Sequence, residues 1–198
     1  MKDILKKVWH YGRWVLLALV IAYIALVIYR TGVMIEQDKS AETVAAIHAQ
    51  KITRDFVLNT HRNLPEPPDP TLDDSTVEGI DANNNGIRDD AELTIFLWHR
   101  DSARIRAAEL QYAQALQAEL TMVFNSETWK AGAQEESRAF YCMRVDAKLP
   151  TSETDRIEKL VLDTDLRRQK YDEVNNYITS YADLNVPNCD IDFKSLPN

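Results

Sequence analysis

Asp81-Ala82-Asn83-Asn84-Asn85-Gly86-Ile87-Arg88-Asp89-Asp90-Ala91-Glu92 reads D-x-N-x-N-G-x-x-x-x-x-E, the spacing of an EF-hand-like calcium loop. Calcium is a hard cation that takes six to eight oxygens. Asp81, Asn83 and Asn85 hold positions 1, 3 and 5, where side-chain oxygens are required. Gly86 holds position 6, where a sharp turn needs a residue without a Cβ. Ile87 supplies a backbone carbonyl at position 7. Asp89 stands at position 9, often a ligand through water, and Glu92 at position 12 can reach back with both oxygens. Any tight polar turn also selects Asn, Asp and Gly, but here positions 1, 3, 5, 6, 9 and 12 all fit the loop.

Two details set this loop apart from a paired EF-hand. Position 8, usually apolar and paired with a sister loop, is Arg88, and no second D-x-[DN]-x-[DN]-G occurs. The approach is also poor helix, because Pro65, Pro67, Pro68 and Pro70 remove N–H donors. Only Leu72 to Ile80 remains before the loop, about two turns. The expectation is a loop followed by one good helix, resembling the lone loops of dockerins and bacterial extracellular calcium repeats.

Outward from the loop the chain reads as helix. Asp89, Asp90 and Glu92 fall in the first turn of a helix expected to run to about Phe124, where carboxylates complement the helix dipole. Leu93, Phe96, Ala103, Ala107 and Leu110 recur at helical spacing, and Tyr112, Leu116, Leu120 and Val123 continue the face. Phe96, Trp98 and His99 together suggest core packing more than a ligand box. Asn125-Ser126 signals the start of a third helix over about 127–148, with Trp129, Ala133, Phe140, Met143 and Ala147 inside. Pro150 stops it, and Ser152-x-x-Asp155 opens a fourth. Ile157, Leu160, Val161, Tyr171, Val174, Ile178 and Tyr181 mark that helix's core side, interrupted at Asp163-Thr164-Asp165. Leu184 to Asn198 reads as an irregular tail. With 5 Gly and 7 Pro in 198 residues there are few places for the turns of a β fold. The fold class is all-α: an N-terminal transmembrane helix, then an antiparallel helical bundle carrying one calcium loop.

The domain order follows. Residues 1–13 are short and basic, with Lys2, Lys6, Lys7 and Arg13. Trp14 to Tyr29 is uncharged and spans about 24 Å as helix, a little under a ~30 Å hydrocarbon core. Trp9, Tyr11, Trp14 and Tyr29 sit where interfacial aromatics belong. Residues 14–30 are read as a signal anchor in a bacterial inner membrane. A cleaved signal peptide is the rival, although no clear A-x-A site follows and the apolar run is long. The positive-inside rule puts residues 31–198 in the periplasm. Residues 31–63 are a membrane-proximal segment, helical from about residue 36 with Val44, Ile47, Ile52 and Phe56 as its stripe. Residues 64–80 are a Pro-rich linker and approach to the loop, and 81–198 hold the loop, the bundle and the tail.

Cys142 and Cys189 both fall outside the membrane, where disulfides form; two free thiols are the alternative. Closure needs Cα atoms within about 7 Å. A straight fourth helix to residue 182 leaves a gap of roughly 13 Å. Pairing therefore requires that helix to break or bend at Asp163–Asp165. His48 and His61 lack ligand-spaced neighbours and read as solvated. The net charge of −8 disfavours a nucleic-acid partner.

The run Gly79 to Glu92 resembles a signature, G-I-D-x-N-N-N-G-I-R-D-D-x-E, of small helical secreted or periplasmic proteobacterial proteins, themselves uncharacterised. Arg167, Tyr171 and Asn175-Asn176-Tyr177 before Cys189 are similar too. The resemblance implies calcium at Asp81, Asn83, Asn85, Ile87 and Glu92 and no activity. No G-x-S-x-G, H-E-x-x-H, P-loop or G-x-G-x-x-G occurs. The expected role is therefore a membrane-anchored binding or scaffolding module with calcium as cofactor, not an enzyme. The alternatives are an accessory subunit of an inner-membrane complex, with Ala18, Ala22 and Ala25 as a packing face, or a periplasmic hydrolase using carboxylates in a bundle groove.

Overall fold

A computed structural model describes residues 2–58, 64–179 and 189–197, with side chains from residue 9 onward. His61, Tyr181 and the first part of the tail lie outside these. The described residues form helices and turns with no strand, so the all-α class holds. The chain divides into two compact units, Met1–Glu42 and Thr43–Asn198.

The first unit is helical throughout and belongs to α1, Lys2–Ala49. Among the described residues this is the helix long and apolar enough to cross a membrane. Leu16, Ile21, Tyr23 and Ile28 stand exposed within the unit. A helix apolar on all sides suits a membrane span or a signal sequence. Its few polar groups are satisfied locally. Thr31 Oγ1 donates back to the carbonyls of Val27 and Ile28 at 3.0 and 2.9 Å, and Trp14 Nε1 donates to His10 Nε2 at 3.3 Å.

The second unit contains the end of α1 and then α2 (Arg54–Leu58), α3 (Pro70–Asp73), α4 (Asp89–Trp98), α5 (Ala103–Met122) and α6 (Ser126–Tyr141). A π-helical turn at Cys142–Asp146 leads to α7 (Thr151–Val161) and α8 (Asp165–Asn175), and a 3-10 turn at Phe193–Ser195 follows. α5 is the central element, with sixteen of its twenty residues buried. It packs against α2, α4, α6, α7, α8, the π-helical turn and the 3-10 turn. Its alanines, Ala103, Ala107, Ala108 and Ala113 among them, carry little bulk and let neighbours approach from several sides. The core joins these to Ile87, Ile95, Leu110, Leu116, Met143 and Ile157.

Helix boundaries depart from the sequence reading in three places. The segment after the apolar span does not run unbroken to residue 63, because α1 ends at Ala49 and α2 starts at Arg54. The long helix from Asp89 is two helices. Ser102 caps α5 by accepting from Ile105 N–H, and Arg106 donates to the carbonyls of His99, Arg100 and Val57 where the chain turns. An apolar stripe continuing through both helices hides that break. Phe140 and Ile178, assigned to inner faces, are 43% and 52% exposed, while Ala139 and Val174 are buried.

Two other features follow the sequence closely. Asn125 caps α6 in a reciprocal capping box with Thr128. The Asp163–Asp165 interruption is a real break, with Thr164 Oγ1 capping α8 through Arg167 N–H. Cys142 and Cys189 form a disulfide with Cα atoms 5.6 Å apart. It holds residues 189–197 against the bundle, where Ile191, Phe193 and Leu196 join the core.

Candidate metal centre

The segment 81–92 folds as one closed turn. Asp89 N–H donates to the Ile80 carbonyl at 2.8 Å and pins its two ends together. Both oxygens of Asp81 point into the turn, accepting from Asn85 N–H at 3.1 Å and Gly86 N–H at 2.8 Å. Asn83 Oδ1 accepts from Asn85 N–H, and Asn85 Oδ1 from Ile87 N–H at 2.8 Å. These short local bonds are what Asx side chains do in turns. A carboxylate offers about four lone-pair sites, so each bond leaves further acceptor capacity. Gly86 has φ +81 and Asn84 φ 55, backbone states that Gly and Asn tolerate best.

Glu92, in the first turn of α4, closes the arrangement. Its Oε2 accepts from Asn83 Nδ2 at 3.0 Å and Asn85 Nδ2 at 2.6 Å. The residue is fully buried, and its Oε1 has no hydrogen-bond partner. Burial pushes its carboxyl up to about 7; the two amides pull down, and the charges of Asp89 and Asp81 push up further. Asp89 is also raised by burial, opposed by the Ala82 N–H that both its oxygens accept. Positions 3, 5 and 12 thus meet at one point, with Asp81 held against the same turn. Glu92 needs something positive at its free oxygen, and only amide N–H groups meet the other. An oxygen-seeking cation would fit this donor set: Glu92 would hold it through Oε1, and Asn83 and Asn85 would offer their amide oxygens in place of the N–H groups that now face Glu92.

The loop is fixed to the bundle by side chains that the sequence did not single out. Ile87 is inserted in the core. Gln114 Nε2 donates to the Asn85 carbonyl at 2.7 Å, and Gln117 Nε2 to the Glu78 carbonyl at 2.9 Å. Gln111, one step earlier on the same α5 face, accepts from Asp190 N–H. Glutamines at i, i+3 and i+6 inside an apolar helix were the available signal. Arg88, the residue that departs from the loop pattern, is buried. It donates to the Leu160 carbonyl and to Asp163 and pairs with Asp73 and Asp90. Arg167, also buried, reaches Asp73, Asp74 and Asp163 from the other side. An α7–α8 corner thus takes the place of a sister loop.

Three further polar clusters lie in the bundle. His48 Nδ1 lies 2.7 Å from Glu135, which also pairs with Lys51 and Arg138, so His48 is half-exposed and paired, not free in solvent. Glu119 and Glu136 are raised by burial, and Tyr112 Oη donates toward Glu136 and Glu158 at 3.2 and 2.8 Å. His99, Glu109, Glu153 and Arg156 form the third. No protein-family model, curated protein or solved structure matches the chain.

Proposed function

We propose that this protein is a membrane-anchored binding or scaffolding module whose bundle is clamped by one calcium ion. Asp81, Asn83, Asn85, the Ile87 carbonyl and Glu92 would hold the ion, with Asp89 acting through water. The observation that carries this reading is Glu92 Oε1, a fully buried carboxylate oxygen without a partner beside two side-chain amides. The resemblance of residues 79–92 to a secreted-protein signature supports it. The ion's chemistry here is structural: it offsets the charges of Asp81, Asp89 and Glu92 and fixes where α4 begins.

The apolar span of α1 supplies the anchor. The Cys142–Cys189 bond supports an oxidising compartment, and the basic residues before the span support a periplasmic bundle in a Gram-negative inner membrane. Binding in roughly the 10⁻⁵–10⁻³ M range follows from a ligand set with few formal charges and suits a compartment rich in calcium.

The test is calcium titration of the full chain in detergent, read by calorimetry and thermal melting. One ion per chain and a melting temperature raised by millimolar calcium are expected, with Glu92→Gln abolishing both. A melting temperature unmoved by calcium, or an unchanged response in Glu92→Gln, overturns the reading. The hydrolase alternative draws on Glu119, Glu136 and Glu158. Glu119 is 1% exposed, which keeps substrate from it, and burial raises Glu119 and Glu136.

A further inference from the structure

The cluster at the start of α5 does not behave like a settled ion-pair network. His99 ends α4, Glu109 lies on α5, and Glu153 and Arg156 lie on α7. One ligand atom from each of His99, Glu109 and Glu153 lies within 4.8 Å of the others. Glu109 is fully buried, while His99, Glu153 and Arg156 retain some exposure.

At the centre stands Arg156 Nη2, 2.8 Å from His99 Nε2, 2.9 Å from Glu109 Oε1 and in contact with Glu153 Oε2. His99 Nε2 is also 3.0 Å from Glu109 Oε1. These contacts conflict. A guanidinium only donates, so Nε2 must be unprotonated to accept from Arg156. An unprotonated Nε2 then faces a carboxylate lone pair. If Nε2 carries the proton and gives it to Glu109, it confronts the guanidinium donor instead. One nitrogen cannot satisfy both neighbours. The crowding leaves Arg156 Nε buried without a hydrogen-bond partner, while Glu109 Oε2 and Glu153 Oε2 have only ion-pair contacts, to His99 Nε2 at 3.0 Å and to Arg156 Nη2.

A divalent ion in the place of Nη2 would resolve the conflict at His99 Nε2, since it accepts a lone pair where the guanidinium and the carboxylate make opposite demands on the proton. It takes the imidazole lone pair and an oxygen from each carboxylate, and its two positive charges balance the two negative ones. We propose that His99, Glu109 and Glu153 form a second metal site, selective for zinc-class transition ions, that Arg156 occupies when no metal is bound. One imidazole and two carboxylates suit zinc, whereas calcium prefers all-oxygen sets. Tetrahedral bonds of about 2.1 Å require ligand atoms about 3.4 Å apart, a contraction that side-chain rotation supplies once the guanidinium leaves. Arg156 has somewhere to go: its side chain is 36% exposed and its guanidinium lies over the Trp98 ring, 4.3 Å from the centroid. The neighbouring grouping of Cys142, Asp146 and Cys189 offers no rival, because its sulfurs are spent in the disulfide.

The experiment uses the full chain in detergent, stripped with chelator and titrated with zinc chloride by calorimetry. Cobalt chloride provides a visible-absorption readout. One zinc per chain is expected in the wild type, tightened about tenfold or more in Arg156→Ala, where the competing cation is gone. His99→Ala removes binding and the cobalt spectrum, while Glu92→Gln leaves both intact and so separates this site from the calcium loop. Circular dichroism of each variant establishes that the bundle is folded, and the partly exposed His99 is the safer substitution if Glu109→Gln unfolds. No zinc in either wild type or Arg156→Ala overturns the proposal. So does zinc that survives His99→Ala or is lost in Glu92→Gln, and so does weaker binding in Arg156→Ala.

Discussion

Arg88 Nη2 donates to Asp163 Oδ2 at 2.9 Å, joining the eighth position of the loop to the corner between α7 and α8, seventy-five residues away in sequence. Asp73 then links Arg88 to Arg167, which returns to the same Asp163. The loop's position and the α7–α8 break are therefore one construction.

Arg88→Ala is predicted to destabilise the bundle by about 3–5 kcal/mol, the usual result of removing one partner from a buried ionic network. Urea unfolding followed by circular dichroism measures it. Asp90→Ala, whose side chain is partly exposed, is predicted to cost less than half as much.

Glu92 makes the calcium-free protein sensitive to pH. Its carboxyl ionises near 7 in the folded chain against 4.5 ordinarily, so the folded state holds the proton more tightly. The stability this gives is fully present below about 4.5 and is lost as pH rises through 7. On the proposed reading calcium would bind the ionised form, so adding it is predicted to flatten the slope and to release protons on binding near pH 6. Melting temperatures from pH 4 to 8, with calcium and with chelator, check this. Glu92→Gln should remove the slope in chelator.

Gly79 has φ +64, and a Cβ there would collide with Arg88 Cδ. Gly79→Ala is predicted to cost about 2 kcal/mol or more, from backbone strain and displacement of the guanidinium together. Gly86→Ala is strained too at φ +81, but its Cβ meets only the Gln50 amide, at 3.1 Å, so it is predicted to cost less stability than Gly79→Ala while weakening the proposed calcium binding. Chemical denaturation and calorimetry on both variants separate the two effects.

Reduction of the disulfide is predicted to cost about 4 kcal/mol, from the loop-closure entropy of the 47-residue separation. Denaturation with and without reductant measures it. Loss of protection at the Asp190 amide, which donates to Gln111 Oε1, would mark release of the tail by hydrogen exchange.

The features that were legible in the sequence are local or nearly so. Asp81 to Glu92 declares a closed turn by its own spacing, Asn125 announces a helix start, and Asp163–Asp165 shows as an interruption of the apolar stripe. The Asp163–Asp165 break followed from a length argument: Cys142 could not otherwise meet Cys189. What stayed hidden depends on distant partners. Arg167 stands out in the sequence only through the resemblance, and its burial against Asp73, ninety-four residues away, has no local signal. His99 reads as a core-side aromatic until α5 and α7 supply Glu109 and Arg156. The turn at His99–Ser102 escaped because the apolar periodicity runs through it, and only Arg106, gathering up carbonyls there, explains the stop.

α5 has neighbours from both extremes of the second unit, since α2 and the 3-10 turn at Phe193–Ser195 both pack on it. A nascent chain that has emerged only as far as α6 therefore carries a helix whose apolar and glutamine faces are still wet. The unit cannot be completed progressively during synthesis and must wait for residues 189–197.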